Sequence, residues 1–342
     1  MDNPFIFGKA VEGPYFTDRQ EDAKRLHANL CHGINTILIS PRRWGKTSLV
    51  KKVTAEIDSK DIKTVFIDMF ACKSEYEFYR IFATEVVKQT SSKIDEWIEH
   101  DDTEKEILQL PEKVAEKKGI RIVVCLDEFQ QVAFFGDQFT FQKKLRTVWQ
   151  HQQNVTYCLF GSKKHLMTTL FCDASYPFYK FGDIMFIDKI PEKEWVEYIC
   201  HQFAATGKKI SLELASLICE YAECQSSYVQ HLSWIVWYKT EVQADKQTID
   251  SALSDLLKQN SVFFQRDIEM LTSLQLNFIK ALADGVETGF SKKEYIKKYN
   301  LESSANIQAV KKALISKEYI EAENERIYIS DPIFKIWVKH HC

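Results

Sequence analysis

Ser40-Pro-Arg-Arg-Trp-Gly-Lys-Thr47 directly follows an apolar run at residues 36–39 and opens a helical segment carrying Leu49, Val50 and Val53. Strand, loop and helix in that order are what a phosphate-binding loop requires. Backbone N–H groups at a helix start have no partner inside the helix and point at an anion, and the helix dipole favours negative charge there. The N–H groups of Trp44, Gly45, Lys46 and Thr47 are the expected cradle, with Ser40, Pro41, Arg42 and Arg43 forming the approach and Ser48 the next helical residue. Lys46 is expected to reach the β and γ phosphates of a nucleoside triphosphate as a point charge, and the Thr47 hydroxyl to supply one oxygen to Mg²⁺. The loop starts on Ser40 where glycine is usual, so a negative φ or a tolerated strain is required there.

The second decisive stretch is Ile122-Val-Val-Cys-Leu-Asp-Glu128. An unbroken apolar run bounded by two carboxylates reads as a buried parallel strand whose carboxyl end faces a ligand crevice. Asp127 is expected to hold a magnesium-bound water, and Glu128 to orient and deprotonate the water that attacks the γ phosphate. Without Glu128 the expectation would be binding without turnover. A further strand ends in Leu159-Phe160-Gly161-Ser162, beside the carboxylate strand. Two readings of Ser162 stand together: contact with the γ phosphate or the attacking water, and N-cap of the following helix.

Around these stretches, short branched apolar runs at 36–39, 64–69, 122–126, 156–160 and 185–188 alternate with helical segments. That is the pattern of an α/β domain, a five-stranded parallel sheet of the P-loop type covered by helices. Residues 75–118 read as two helices broken near Asp101 and Asp102. Beyond Pro191 only helical periodicity remains, at 192–205, 211–223, 226–243 and 247–259. The expected division is an α/β domain at 1–190, a helical lid at 191–265 and a third domain at 266–342.

That third domain opens with an amphipathic helix at 272–283. A second follows, with Ser291 as its expected cap and Tyr299 at its end, and then a third capped by Ser303 or Ser304. A strand pair at 319–322 and 326–329 comes next. Three short helices and a hairpin describe a winged helix-turn-helix. Asp331 is expected to cap a last helix that has Pro332 at its first position. Between Ser291 and Lys317 lie seven lysines and two glutamates, a local positive excess suited to phosphates. Ser303, Asn306, Gln308, Lys311 and Lys312 are the expected DNA contacts on the third helix, with protein docking as the other use of such a module.

The chain as a whole has 342 residues, 45% apolar and 27% charged, with a net charge of −3. This is globular material in two or three domains, and any nucleic-acid contact must be local. The longest apolar runs are far short of the roughly 20 residues that span a bilayer, and no basic segment followed by an apolar stretch opens the chain. A cytoplasmic location is therefore expected, with no membrane partner. Nine scattered cysteines without a CxxC pair read as reduced thiols. A homo-oligomer is left open.

Taken together, several stretches resemble the archaeal-type ATPases within the AAA+ and signal-transduction NTPase assemblage. They are Asn3-Pro-Phe5 with Phe7-Gly8, Phe16-Thr-Asp-Arg19, Pro41-Arg-Arg with Gly45-Lys-Thr-Ser48, Leu126-Asp-Glu-Phe-Gln130, Phe160-Gly-Ser162 and Asp331-Pro-Ile-Phe-Lys-Ile-Trp337. The resemblance covers nearly the whole chain. It implies ATP hydrolysis with Mg²⁺, and an amino-terminal segment against the adenine, with Phe7, Gly8, Val11 and Phe16 near the base. It also raises the Lys180 position as a candidate for a cation acting on a phosphate; Arg146 and Arg266 are further candidates outside the resemblance, and none is assigned.

Overall fold

The computed structural model describes residues 3–9, 19–90, 103–323 and 325–342. Val11, Phe16 and the expected helix break at Asp101 and Asp102 lie outside the described residues. The chain forms two compact units, residues 10–189 and residues 1–9 with 190–342.

In the first unit the elements run α1 (Gln20–Cys31), β1 (Thr36–Ile39), α2 (Lys46–Ile57), β2 (Ile62–Asp68), α3 (Glu75–Thr90), α4 (Glu104–Lys118), β3 (Arg121–Asp127), α5 (Gln138–Trp149), β4 (Val155–Gly161), α6 (Lys164–Cys172) and β5 (Asp183–Phe186). The strands make one parallel sheet in the order β2-β3-β4-β1-β5. Alternation along each strand decides which helices it meets. Ile37, Ile39, Val124, Leu126, Tyr157 and Leu159 share one core with α3 to α6. Leu38, Val123, Cys125, Cys158 and Phe160 share the other with α1 and α2. Burial on both faces is why these strands read as continuous apolar runs.

The last strand sits two residues earlier than residues 185–188. Gly182 lets the chain close on Asn35, where an added Cβ would lie 2.1 Å from the Asn35 carbonyl oxygen, and Asp183 N–H donates to that same oxygen at 2.8 Å. Pairing with β1 therefore begins at Asp183, before the apolar pattern does.

In the second unit α7 (Glu192–Ala205), α8 (Leu212–Tyr221), α9 (Ser226–Lys239) and α10 (Lys246–Glu269) lead into α11 (Ser273–Ala283), α12 (Lys293–Tyr299), α13 (Ser304–Ser316), β6 (Ile320–Glu323), β7 (Arg326–Ile329) and α14 (Pro332–His341). β6 and β7 pair antiparallel, so α11 to β7 form the winged helix. The division expected at 265–266 falls within α10, which runs ten residues past 259 because Phe264 is buried against Phe334 and Trp337 of α14. One continuous core joins Phe5, the lid helices and the winged helix. Residues 3–9 accordingly group with this unit, not with the α/β domain to which the sequence pattern assigns residues 1–190.

Two caps follow the sequence reading, Ser303 on α13 and Asp331, with Pro332 behind it, on α14, and Thr272 caps α11 as well. Ser291 does not cap α12. That helix starts after Lys292 and has no side-chain cap.

Candidate nucleotide site

The parallel register sets up the site. Ile39 pairs with Gly161, and Leu126 pairs with Leu159. The loop after β1, the carboxylates after β3 and the serine after β4 therefore emerge at the same carboxyl edge of the sheet, where ligands of open α/β sheets bind.

Within the loop, Gly45 is the N-cap of α2 with φ 89°, a left-handed conformation that glycine adopts without strain. Arg43 also takes positive φ, at 66°, and Ser40 does not. The missing first glycine therefore imposes no strain. Ser40 is buried and its hydroxyl donates to the Pro41 carbonyl at 3.2 Å. Lys46 is 6% exposed at the first position of α2, and Ser48 is buried in the same turn. Behind the loop, Arg19 donates to the carbonyl oxygens of Trp44 at 2.7 Å and Asp188 at 2.8 Å, tying the loop to the exit of β5. Sequence reading reaches Arg19 only through the family resemblance. The feature that marks it is a buried arginine, and burial is not a local property.

Thr47 Oγ1 donates to Asp127 Oδ2 at 3.1 Å, and the Glu128 N–H donates to Asp127 Oδ1 at 2.8 Å. Burial pushes the Asp127 carboxyl above its ordinary range. Lys46 opposes that rise and the Glu128 charge adds to it. A partly desolvated carboxylate beside a hydroxyl is a hard-oxygen donor pair that a divalent cation relieves, and Mg²⁺ takes one or two such ligands together with water and phosphate oxygens. The residues present fit Mg²⁺ on those grounds.

Glu128 stands at φ 53°, left-handed, at the start of a 3₁₀ turn over Phe129–Phe134. Its Oε2 accepts from the Ser162 hydroxyl at 2.8 Å and from the Gln130 amide nitrogen, while Ser162 Oγ in turn accepts from Arg42 Nε at 3.2 Å. Ser162 is not an N-cap. α6 starts after Lys163 without a side-chain cap, and the Ser162 hydroxyl is engaged by Glu128 instead. Gln130 is visible in the sequence only as part of the family motif.

The remaining expected residues are distributed as follows. In the second unit Phe7 stacks on His231 with ring centroids 4.0 Å apart, the Ile6 N–H donates to Gln230 Oε1 at 3.3 Å, and Gly8 takes φ 76°. Arg146 lies over the Phe181 ring at 4.9 Å, and burial lowers its pKa. On α13, the Ser303 side chain is engaged as the N-cap, and Asn306 donates to Glu302 at 2.5 Å. Gln308 and Lys312 are exposed and Lys311 is half-buried. The hairpin carries Glu321, Glu323 and Glu325 against Arg326, and Tyr328 bonds both Glu321 and Glu323 at 3.3 Å. Among the described residues, no helix is long and apolar enough to cross a membrane.

Residues 16–175 match the family model of an ATPase domain found predominantly in Archaea, and residues 262–340 match a probable winged helix domain. No curated protein matches the chain by sequence. Among solved structures, the chain is similar to a Walker-type ATPase of Pyrococcus abyssi, with TM-score 0.77, 15% identity, and 98% of this chain and 99% of that one covered. It is similar to the Aeropyrum pernix ORC2 protein solved with ADPNP and ADP, with TM-score 0.65, 15% identity and 98% of each chain covered. The Aeropyrum pernix ORC1 protein in complex with DNA matches with TM-score 0.55 and 11% identity, over 100% of this chain and 98% of that one. With the five-stranded parallel sheet in P-loop order and the winged helix that follows it, residues 16–175 of this chain belong to the ATPase domain family found predominantly in Archaea, joined to a winged helix domain at the carboxyl end.

Proposed function

We propose that this chain binds ATP with Mg²⁺ and hydrolyses it at the carboxyl edge of β1, β3 and β4. One observation carries the reading: Lys46, Thr47 bonded to Asp127, and Glu128 held by Ser162 all converge at that edge. Backbone N–H groups at the start of α2 take the phosphates and Lys46 reaches the β and γ oxygens. Thr47 and Asp127 hold Mg²⁺, which when bound neutralises the charge that develops on the phosphate oxygens. Glu128 Oε1, on the side opposite its two donors, orients a water and takes its proton as that water attacks the γ phosphorus. The Pγ–O bond to the β phosphate breaks, leaving ADP and inorganic phosphate. Arg42, bonded to Ser162, links the loop to that carboxylate.

The nucleotide state acts, in this reading, on the unit formed by residues 190–342. Tyr228 of α9 donates to Asp331, the N-cap residue of α14, at 2.6 Å, and Lys335 of α14 donates to Glu223 at 2.8 Å. These bonds and the shared core make the lid helices and the winged helix move as one body. DNA is the proposed partner, through Gln308, Lys311, Lys312 and the lysines of α12, supported by the winged-helix match and by the likeness to an ORC1 protein solved in complex with DNA. One observation favours a protein partner and a slow switch instead: the hairpin is acidic, where a wing laid along a DNA backbone would be neutral or basic.

Phosphate release measured with and without duplex DNA across protein concentration tests both. Wild-type turnover that rises with DNA and drops steeply, to a slow residual rate, in Glu128→Gln is expected. Turnover indifferent to Glu128→Gln overturns the hydrolytic reading, and turnover indifferent to DNA that also fails to bind overturns the DNA partner.

A further inference from the structure

Gln130 is fully buried two residues beyond Glu128, on the 3₁₀ turn that follows the carboxylate pair. Its amide nitrogen donates to Glu128 Oε2, while its Oε1 has no hydrogen-bond partner among the described residues. The amide cannot be turned over to satisfy that oxygen, because two acceptors would then face one another across the Glu128 contact. An unpaired buried carbonyl oxygen is costly, so the side chain is kept in place for its other end. Room for it exists only because residue 161 is glycine. A Cβ there would lie 1.9 Å from Gln130 Oε1 and 2.9 Å from the Met167 sulfur. Gly161 has no need of the left-handed region, since its φ is not positive. Space for Gln130 is therefore the constraint on that position.

We propose that Gln130 is a positioning residue for hydrolysis, a buried amide that pins Glu128 Oε2 so that Oε1 is presented to the attacking water, with Gly161 as the gap that admits it. The proposal rests on Glu128 being the base. Ser162 alone leaves the carboxylate free to rotate about its Cγ–Cδ bond. A second donor from a different direction removes that freedom. A merely structural glutamine would lower stability when replaced and leave the chemistry of the folded protein as it was.

The test is a double-mutant cycle read by single-turnover hydrolysis of γ-labelled ATP, with binding of a fluorescent ATP analogue as the measure of a folded site. Gln130→Met keeps length and loses the donor. Its turnover is expected to fall about 10- to 100-fold with nucleotide affinity held within about twofold. In a Glu128→Gln background the same change is expected to cost less than about twofold, because both residues act on one step. Gly161→Ala, which displaces the amide, should reproduce the loss of turnover at unchanged affinity. If Gln130→Met does not fold, Gln130→Leu, uncharged and without the donor, takes its place in the cycle. Equal losses in both backgrounds, or a loss below about twofold in the wild-type background, overturn the proposal and leave Glu128 as the base. Turnover unchanged by Glu128→Gln overturns the proposal together with the reading beneath it.

Discussion

The Ser162 hydroxyl donates to Oε2 of Glu128 at 2.8 Å across adjacent ends of β4 and β3. A hydrogen bond to a charged group contributes about 1.5–3 kcal/mol, and this one falls on the carboxylate that the proposed reaction uses. Ser162→Ala is therefore expected to lower turnover by roughly 10- to 100-fold while nucleotide affinity is retained, and Ser162→Thr to keep most of it. Phosphate release beside an equilibrium titration of a fluorescent ATP analogue separates the two effects. A loss of affinity as large as the loss of turnover would move Ser162 from the base to the phosphates.

Ser40 stands where the usual loop has glycine, with negative φ and a buried side chain. Ser40→Gly should therefore bring no gain in ATP affinity. It should cost about 0.5–1 kcal/mol of stability through the freedom that glycine gives the unfolded chain. Urea unfolding and nucleotide titration check the two halves.

Asp127 gives a prediction in pH. Burial comes first among the causes that raise its folded pKa above the ordinary 3.8, with Lys46 opposing. A carboxyl whose pKa is raised on folding contributes stability that is fully present below pH 3.8 and lost as pH rises through its folded value. Asp127→Asn should thus be more stable than the wild type at pH 7, by roughly the 2–4 °C that 1 kcal/mol represents in a domain of this size, and no more stable near pH 3. Thermal melts across pH, without nucleotide or Mg²⁺, measure this. The same variant should lose hydrolysis, and a Tm at pH 7 below that of the wild type would contradict the account.

On the winged helix, charge on two elements points opposite ways. Lys311→Glu with Lys312→Glu should abolish duplex binding, and replacing the pair by alanine should reduce the salt slope by about 2. Glu323→Lys with Glu325→Lys on the hairpin should tighten binding. Affinity measured at two or more salt concentrations reads both. Indifference to all four changes would direct attention to a protein partner and the acidic hairpin.

Much of the site is legible in the sequence because its signals are local. A strand that ends in Ser40-Pro-Arg-Arg-Trp-Gly-Lys-Thr47 and an apolar run that ends in Asp127-Glu128 each announce their element by periodicity and their chemistry by residue type. The caps at Ser303 and Asp331 are equally local, since a cap needs only its own next three residues. Where a decision depends on distant packing, local signals point elsewhere. Of the two readings the sequence leaves for Ser162, the cap is the local one, because serine before a helix often is one, but the register of β4 against β3 puts its hydroxyl on Glu128. A division at 265–266 fits the local pattern, yet Phe264 packs on α14 and carries α10 through it.

The sequence by itself thus determined a P-loop sheet, its phosphate loop, its carboxylate pair and a winged helix, because short-range pattern and chemistry specify those. Only the tertiary structure decided that Ser162 bonds Glu128, how Gly161 makes room for Gln130, and that residues 3–9 join the helices of 190–342. Each of those depends on strand register or core packing between segments far apart in the chain, and no window of sequence contains both partners.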